Sequence, residues 1–296
     1  MLLELPEFDW ISARTVEETC ALLAEHGEGA FALAGGTDLF TKMKLRRLVP
    51  AYLIDIKSIP GLGDIRYDER QGLLIGALAT ANAIESSQEI PFRLRAIAQA
   101  AAALGTLQIR NTATIGGNLA NASPSAEFAP PLLALGASLE CASPSGARSL
   151  PMDRFFIGPG KTCLAAGEII TSIRVPAPAV GLRSIYLKHS LRRMDVAIAS
   201  VAVSLTMEGE VCTEAKIALG AVGPVPSRAT RAEAALAGRR LKGDPACEKD
   251  IDEAARLAAE DCAPIDDLRS EANYRRRLVA MLTGKALDRL LVRDRA

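Results

Sequence analysis

Short apolar runs, separated by glycine, proline and charged residues, divide the first 176 residues into alternating strands and helices. Apolar runs between turn residues predict strands, and apolar residues three or four positions apart predict helices. The predicted strands are residues 31–33, 52–56, 72–78, 137–142 and 169–175, and the predicted helices are residues 16–26, 79–84, 92–104 and 127–135. Thr15 and Glu18 form a capping-box signature at the start of the first helix.

The pattern changes after Pro176 and Pro178, where we place the main domain boundary. Alternating apolar residues on both sides of a Glu-Gly-Glu turn predict a β-hairpin, formed by residues 198–206 and 214–219. Residues 186–195 are polar and basic and predict a loop before the first hairpin strand. Three helical segments follow the hairpin, at residues 229–237, 246–261 and 270–293.

These elements predict an α+β chain with two domains. The first domain spans residues 1–176, and the second domain spans residues 177–296. A length of 296 residues is consistent with this division.

Composition narrows the possible partners. The net charge is zero and aromatic residues make up only 4% of the chain, so neither nucleic acid nor an anionic membrane is expected as a partner. No apolar run approaches the ~20 residues of a membrane span, and the N-terminus lacks a signal-peptide pattern. The six cysteines show no Cys-x-x-Cys spacing, so we expect reduced thiols, no metal site and a cytoplasmic location.

Two glycine pairs are the strongest chemical signal in the chain. Gly35–Gly36 lies in residues 32–39, and Gly116–Gly117 lies in a polar stretch of small residues at 108–132; threonine flanks both pairs. Glycine lets backbone amides approach an anion closely. Either pair alone is equally consistent with a tight turn, and neither fits a Rossmann or Walker pattern. Together they predict two segments that hold the pyrophosphate of a dinucleotide.

Other polar residues leave alternatives open. The loop at residues 186–195 is either a solvated connection or a segment that returns over a cofactor, and His189 fits a surface position better than a catalytic base. Glu127 is either a charge at a helix start or a hydrogen-bonding group for cofactor hydroxyls. We find no catalytic triad, Cys/His pair or paired carboxylates, so no catalytic side chain is predicted and redox chemistry would belong to a cofactor.

Four motifs give the chain a family resemblance. They are residues 34–39 (AGGTDL), 111–118 (NTATIGGN), 192–197 (RRMDVA), and a tail at 263–269 (APIDDLR) that continues to Tyr-Arg-Arg at 274–276. In this order they resemble the FAD-binding medium subunit of molybdenum hydroxylases, the family of xanthine dehydrogenase, carbon monoxide dehydrogenase and 4-hydroxybenzoyl-CoA reductase. The resemblance covers essentially the whole chain. It implies an FAD-binding fold of the vanillyl-alcohol-oxidase (PCMH) type, with two α+β subdomains at about residues 1–58 and 59–176 and a C-terminal α+β domain.

The resemblance also implies which residues bind FAD. One half of the pyrophosphate clamp would consist of Ala32, Leu33, Ala34, Gly35, Gly36, Thr37, Asp38 and Leu39. The other half would consist of Thr114, Ile115, Gly116, Gly117 and Asn118. Further contacts would come from Leu104 near the flavin, from Ile170 and Lys188 around the isoalloxazine ring, and from Glu127 and Asp195. Of these, Asp195 lies in a loop that covers the flavin in some members of the family.

The chain departs from some relatives in one respect. They carry an inserted [4Fe-4S] cluster, and residues 127–141 are too short to hold it. We therefore expect FAD only in this chain, with [2Fe-2S] clusters on a small subunit and molybdopterin-bound molybdenum on a large one, in a dimer of heterotrimers. The alternatives are a stand-alone flavin oxidoreductase and a non-catalytic flavin- or nucleotide-binding module.

Overall fold

The computed structural model of the chain describes residues 4–241 and 247–292. The strands are β1 Asp9–Ser12, β2 Ala30–Leu33, β3 Tyr52–Asp55, β4 Ile65–Asp68, β5 Gly72–Gly76, β6 Ser138–Ser143, β7 Gly146–Pro151, β8 Phe156–Gly158, β9 Lys161–Thr162, β10 Ile169–Val175, β11 Leu182–His189, β12 Ala199–Glu208, β13 Val211–Gly220 and β14 Ser227–Arg228. The helices are α1 Val16–His26, α2 Leu39–Lys44, α3 Ala81–Ser86, α4 Arg95–Ala103, α5 Leu107–Arg110, α6 Ile115–Ala120, α7 Ala129–Ala134, α8 Thr230–Leu236, α9 Cys247–Asp261 and α10 Ala272–Val292.

A small parallel sheet forms the N-terminal part. Its strand order is β1-β3-β2, and both outer strands run parallel to β3. Apolar residues of α1 cover one face of this sheet, and Met43 of α2 packs with Leu33 and Leu53 on the other. The N-cap predicted for α1 is present, because the Thr15 hydroxyl accepts from the Glu18 amide at 3.1 Å. The Glu18 carboxylate reaches back one residue further than a capping box predicts and accepts from the Arg14 amide at 2.7 Å.

A five-stranded antiparallel sheet follows, in the order β4-β5-β10-β6-β7. Leu73, Ile75 and Ile173 on its strands share a core with the alanine-rich α4 and with α7. This arrangement packs the helices against the sheet and leaves the loops after β5 and before α6 free to meet the first sheet.

The C-terminal sheet has the order β11-β12-β13-β14, and all its pairs are antiparallel. Val201, Val203 and Leu205 of β12 pack with the three C-terminal helices. The opposite face carries small and polar residues toward the preceding domain: the Ser204 hydroxyl donates to the Ala134 carbonyl at 2.6 Å. Because both faces are covered, β12 is buried along most of its length.

The observed elements confirm the α+β class and correct several predictions. Residues 186–189 belong to β11 and not to a loop, and Gly116–Gly117 lie inside helix α6 and not in a turn. The hairpin and the three C-terminal helices are present; two predicted helix ends, Ala246 and Arg293, lie outside the described residues. Within the described part of the chain, none of the helices is long and apolar enough to cross a membrane.

Candidate functional site

The loop after β2 presents unpaired backbone amides. Among the described residues, the N–H groups of residues 34–39 find no hydrogen-bond acceptor. Gly36 has a φ of 72°, in the left-handed region that glycine tolerates best. A run of free amides in a turn forms a concave site for an anion. We call residues 34–39 the amide cradle.

The two glycine segments lie against each other. A Cβ atom added at Gly35 would lie 2.0 Å from the carbonyl oxygen of Thr112, and one added at Gly116 would lie 2.7 Å from the Ala77 carbonyl oxygen. These glycines are therefore required first by backbone packing between loops. The two segments lie together, as predicted. Their glycines, however, are explained by close contacts with the backbone of this chain and not by the approach of a ligand.

The second segment has few free amides. The amides of Ile115 and Gly116 donate to the carbonyls of Ala79 and Ala77 at 3.0 and 2.8 Å. The Gly117 amide donates to the Thr114 hydroxyl at 3.1 Å, which makes Thr114 the N-cap of α6. This segment could bind an anion through its side chains or through the Thr114 amide. That amide has no hydrogen-bond acceptor among residues 4–241 and 247–292.

A cleft of about 500 Å³ opens between the first and second sheets beside the amide cradle. Its volume lies within the range of small-molecule sites. Five residues named in the sequence analysis line it: Ala32, Ala34, Gly116, Gly117 and Ile170. Its remaining wall is mostly apolar and includes Leu23, Ile56, Ala77 and Leu164. An apolar cleft next to an amide cradle suits a ligand with a flat apolar part and an anionic part.

One wall of the cleft is held by an ion pair. Arg148 donates to both carboxylate oxygens of Glu168, each at 2.6 Å, and the Ala165 amide donates to Glu168 Oε2 at 2.8 Å. The hydrogen bonds from Arg148 lower the pKa of Glu168 despite its burial. The carboxylate thus fixes the turn at residues 165–168 that borders the cleft.

Glu168→Gln is expected to make the protein less sensitive to acid. Because the folded-state pKa of Glu168 is depressed, its stabilising contribution is complete above the unfolded-state value of about 4.3 and is lost as the pH falls through the folded-state value. Chemical unfolding across pH 3–7 measures the effect. The variant should be less stable than the wild type at pH 7, and the difference should shrink toward pH 3; a constant difference would contradict this assignment.

A second ion pair joins the two domains. Lys188 on β11 donates to Glu127 Oε1 at 3.1 Å and to the Ala103 carbonyl at 2.8 Å. Burial raises the pKa of Glu127, and Lys188 opposes that shift; the charge of Asp38 adds to the rise. Asp38 lies in the amide cradle, and the Phe128 amide beside Glu127 donates to Asn118 of the second glycine segment, so the ion pair lies near one end of the cradle. Leu104, the residue after Ala103, is also buried here.

The remaining predicted site residues occupy different places. Leu33 and Leu39 pack in the core of the first sheet with Phe40, and the side chain of Ile115 is fully buried. Asn118 Oδ1 accepts from the Phe128 amide at 3.4 Å. Asp195 accepts from the Arg192 amide at 3.1 Å and lines a separate hollow with Leu191 and Met194. Asp195 is therefore not brought to the main cleft.

Sequence reasoning missed three charged residues near the site. Lys42 on α2 donates to Asn121 Oδ1 at 2.6 Å and so bridges the two glycine segments; it also lowers the pKa of Asp38, which burial raises. Lys42 was detectable, since it lies four residues after Asp38 on a helix that begins in the cradle. Arg148 and Glu168 are 20 positions apart, and no local pattern links them.

Known proteins match this chain over nearly its whole length. Residues 6–178 match the family model for the FAD binding domain in molybdopterin dehydrogenase, and residues 184–290 match that for the CO dehydrogenase flavoprotein C-terminal domain. The carbon monoxide dehydrogenase medium chain of Hydrogenophaga pseudoflava is 35% identical, with 96% of each chain covered. The glyceraldehyde dehydrogenase medium chain of Sulfolobus acidocaldarius is 34% identical, covering 95% of this chain and 97% of the relative.

Solved structures give the same result. The carbon monoxide dehydrogenase of Hydrogenophaga pseudoflava, in a form that lacks the Mo-pyranopterin moiety of its molybdenum cofactor, superimposes with a TM-score of 0.91. The sequence identity is 35%, and the match covers 96% of this chain and 97% of the other. The fold predicted from the sequence motifs is confirmed.

Proposed function

We propose, from the premise that this chain belongs to the family of FAD-binding domains in molybdopterin dehydrogenases, that it carries FAD and transfers electrons as one subunit of a molybdenum hydroxylase. The observation that carries this proposal is the amide cradle beside an apolar cleft. A dinucleotide has an anionic centre and flat ring systems at its ends. The cradle and the cleft match these two parts.

The residues of the cradle would hold the pyrophosphate. Its free amides offer hydrogen bonds that are strong toward an anion, and Lys42 adds a nearby positive charge. The side chains of Thr114 and Asn118 would complete this contact from the second segment. Ala32, Ala34, Gly116, Gly117 and Ile170 would contact the cofactor along the cleft. Leu104, Glu127 and Lys188 would lie at the other end, with Asp195 on a loop outside the cleft.

FAD supplies the redox chemistry, since flavin accepts electrons singly and returns them as a pair. The chain's own groups bind and orient the cofactor, and no side chain needs to act as a general acid or base. The names of the relatives, medium chain and FAD-binding subunit, identify them as parts of larger assemblies. We propose a small [2Fe-2S] subunit and a large molybdopterin subunit as partners, in a cytoplasmic dimer of heterotrimers.

The positions of the three sheets along the chain support the proposed domain division. The first sheet ends at residue 55, the second uses strands from residue 65 to residue 175, and the third begins at residue 182. We propose subdomains of about 1–58 and 59–176 and a C-terminal domain from residue 177. FAD would then lie between the two subdomains, with Lys188 as a contribution from the C-terminal domain.

Ala120→Trp is expected to weaken FAD binding. Ala120 lines the cleft and is exposed, so a tryptophan there would occupy ligand space without disturbing the core. Steric overlap that costs about 1–3 kcal/mol corresponds to a roughly 5- to 150-fold weaker dissociation constant. Titration of flavin fluorescence with the purified chain measures it. Ala147→Trp, on an exposed strand outside the cleft, is the matched control.

Two outcomes would contradict this proposal. If Ala120→Trp bound FAD as tightly as the wild type, the cleft would not be the binding site. Turnover of a substrate by this chain alone, without companion subunits, would replace the subunit function with that of an independent flavin oxidoreductase.

A further inference from the structure

The Lys188–Glu127 pair is deeply buried. Their side chains are 6% and 10% exposed, and the Lys188 ammonium has only one N–H left after its bonds to Glu127 and the Ala103 carbonyl. The pair connects the C-terminal domain, through β11, to the end of α4 and to the segment before α7. Removing either partner would leave a buried charge without its counter-ion.

Neutral groups of β11 also bond the residues before it. The Tyr186 amide donates to the Gln99 side chain at 2.8 Å, and the Ser184 hydroxyl donates to the Arg93 carbonyl at 2.7 Å. Burial raises the pKa of Tyr186, with a further rise from the charge of Glu127, so its hydroxyl stays neutral at ordinary pH. A buried ion pair stabilises a fold little better than apolar residues of the same volume. Stability of the domain contact therefore does not explain why a charged pair occurs here.

The location of the pair supplies a reason. The Phe128 amide, next along the chain from Glu127, donates to Asn118 of the second glycine segment at 3.4 Å. Lys42, on the helix that begins in the amide cradle, donates to Asn121 of the same segment at 2.6 Å, and Leu104 follows directly on the carbonyl that Lys188 binds. On the proposed function, this end of the cradle holds the flavin ring. A charge near the ring changes how readily flavin accepts electrons.

We propose that Glu127 is a positioning residue that holds Lys188 at the flavin and cancels its charge, and that this buried pair thereby sets the reduction potential of the bound FAD. The inference rests on the proposed function. Glu127 orients the ammonium together with the Ala103 carbonyl. The pair as a whole is neutral, so the flavin experiences a hydrogen-bond donor without a full positive charge.

The proposal predicts shifts of opposite sign in the two single variants. Glu127→Gln keeps a hydrogen-bond acceptor for Lys188 but leaves its positive charge uncancelled, which favours the reduced flavin and raises the potential. Lys188→Met removes the cation, and at a pH high enough to keep Glu127 ionised despite the burial that raises its pKa, the remaining carboxylate lowers the potential. The double variant contains neither charge and should return close to the wild-type potential.

Redox titration of the FAD-loaded chain with a reference dye measures these potentials, and flavin fluorescence gives the dissociation constants. Glu233→Gln is the matched control, because Glu233 is also a buried carboxylate paired with an arginine, Arg228, but lies in the C-terminal domain on α8. It is expected to reduce stability and leave the potential unchanged. Thermal unfolding of all variants separates loss of fold from the shift in potential.

Equal or same-signed shifts in Glu127→Gln and Lys188→Met would overturn the proposal, as would potentials identical to the wild type. A pair with a purely structural role would lower the melting temperature and leave the potentials unmoved. Failure of the wild-type chain to bind FAD would instead refute the proposed function, so the two failures are distinguishable.

Discussion

Gly35→Ala is expected to abolish FAD retention and to lower the free energy of unfolding by about 3 kcal/mol, the upper end of the usual cost of overpacking. The added Cβ would lie 2.0 Å from the Thr112 carbonyl oxygen and 2.8 Å from its carbon. Both atoms belong to the backbone, so no side-chain rotation relieves the overlap. The two glycine segments would have to separate, and the amide cradle would lose its position beside the cleft.

Gly63→Ala is the matched control for this experiment. Nothing lies within 4 Å of a Cβ atom added there, so the same chemical change should leave both stability and flavin content unaltered. The measurements are flavin absorbance per chain and urea unfolding. A Gly35→Ala chain with wild-type flavin content would show that the contact between the two segments has no part in binding the cofactor.

Arg275→Met is expected to cost about 3 kcal/mol of unfolding free energy without direct damage to the cofactor site. Arg275 is 3% exposed and donates to the carbonyls of Ile198 and Ala221 at 2.8 and 3.0 Å. It also donates to Asp267 Oδ1 at 2.6 Å. Methionine keeps most of the volume but leaves two buried carbonyls without a donor, each costing roughly 1–3 kcal/mol.

Arg276→Met tests the specificity of that effect. Arg276 is the next residue of α10 but is exposed, and its side chain reaches Asn273 at 3.4 Å, so its loss should change stability by less than about 0.5 kcal/mol. Differential scanning calorimetry compares the two variants. Equal melting temperatures would contradict the role of Arg275 in holding α10 against the backbone at Ile198 and Ala221.

The parts of the fold with local signals were predictable. The buried strands β2 and β3, the capped helix α1 and the β12–β13 hairpin follow from apolar runs, a capping box and a turn. Strands β1 and β7 were missed, because they are exposed edge strands whose residues lack apolar alternation. β1 pairs with β3, far along the chain, which no local window reveals, whereas β7 pairs with the adjacent β6 through a tight hairpin.

The segment at residues 186–189 shows a different limit. Ile185 and Leu187 face the C-terminal helices, whereas Tyr186 packs into the core of the preceding domain and Lys188 reaches Glu127. A strand buried on both sides is expected to be apolar throughout. One face of β11 is instead buried through polar contacts with the preceding domain. Its polar residues therefore led to the prediction of a loop.

The candidate site was located by its glycines, but their physical roles were only partly predictable. The amide cradle matches the expectation of free backbone donors. In the second segment the N-cap at Thr114 and the carbonyls of Ala77 and Ala79 already occupy the amides, because Gly-Gly starts a helix there. The assignment of FAD contacts to single residues stays a prediction, and Lys42, Arg148 and Glu168 required the three-dimensional contacts.

The central claim is that this chain carries FAD. The most direct measurement is the absorbance spectrum of the purified chain, alone after incubation with FAD and in complex with co-expressed partner subunits, followed by chromatographic identification of the released flavin. We expect flavin absorbance with equimolar FAD, and no retention of flavin mononucleotide, which lacks the pyrophosphate that the amide cradle would bind. A chain that stays colourless in both preparations would contradict the account.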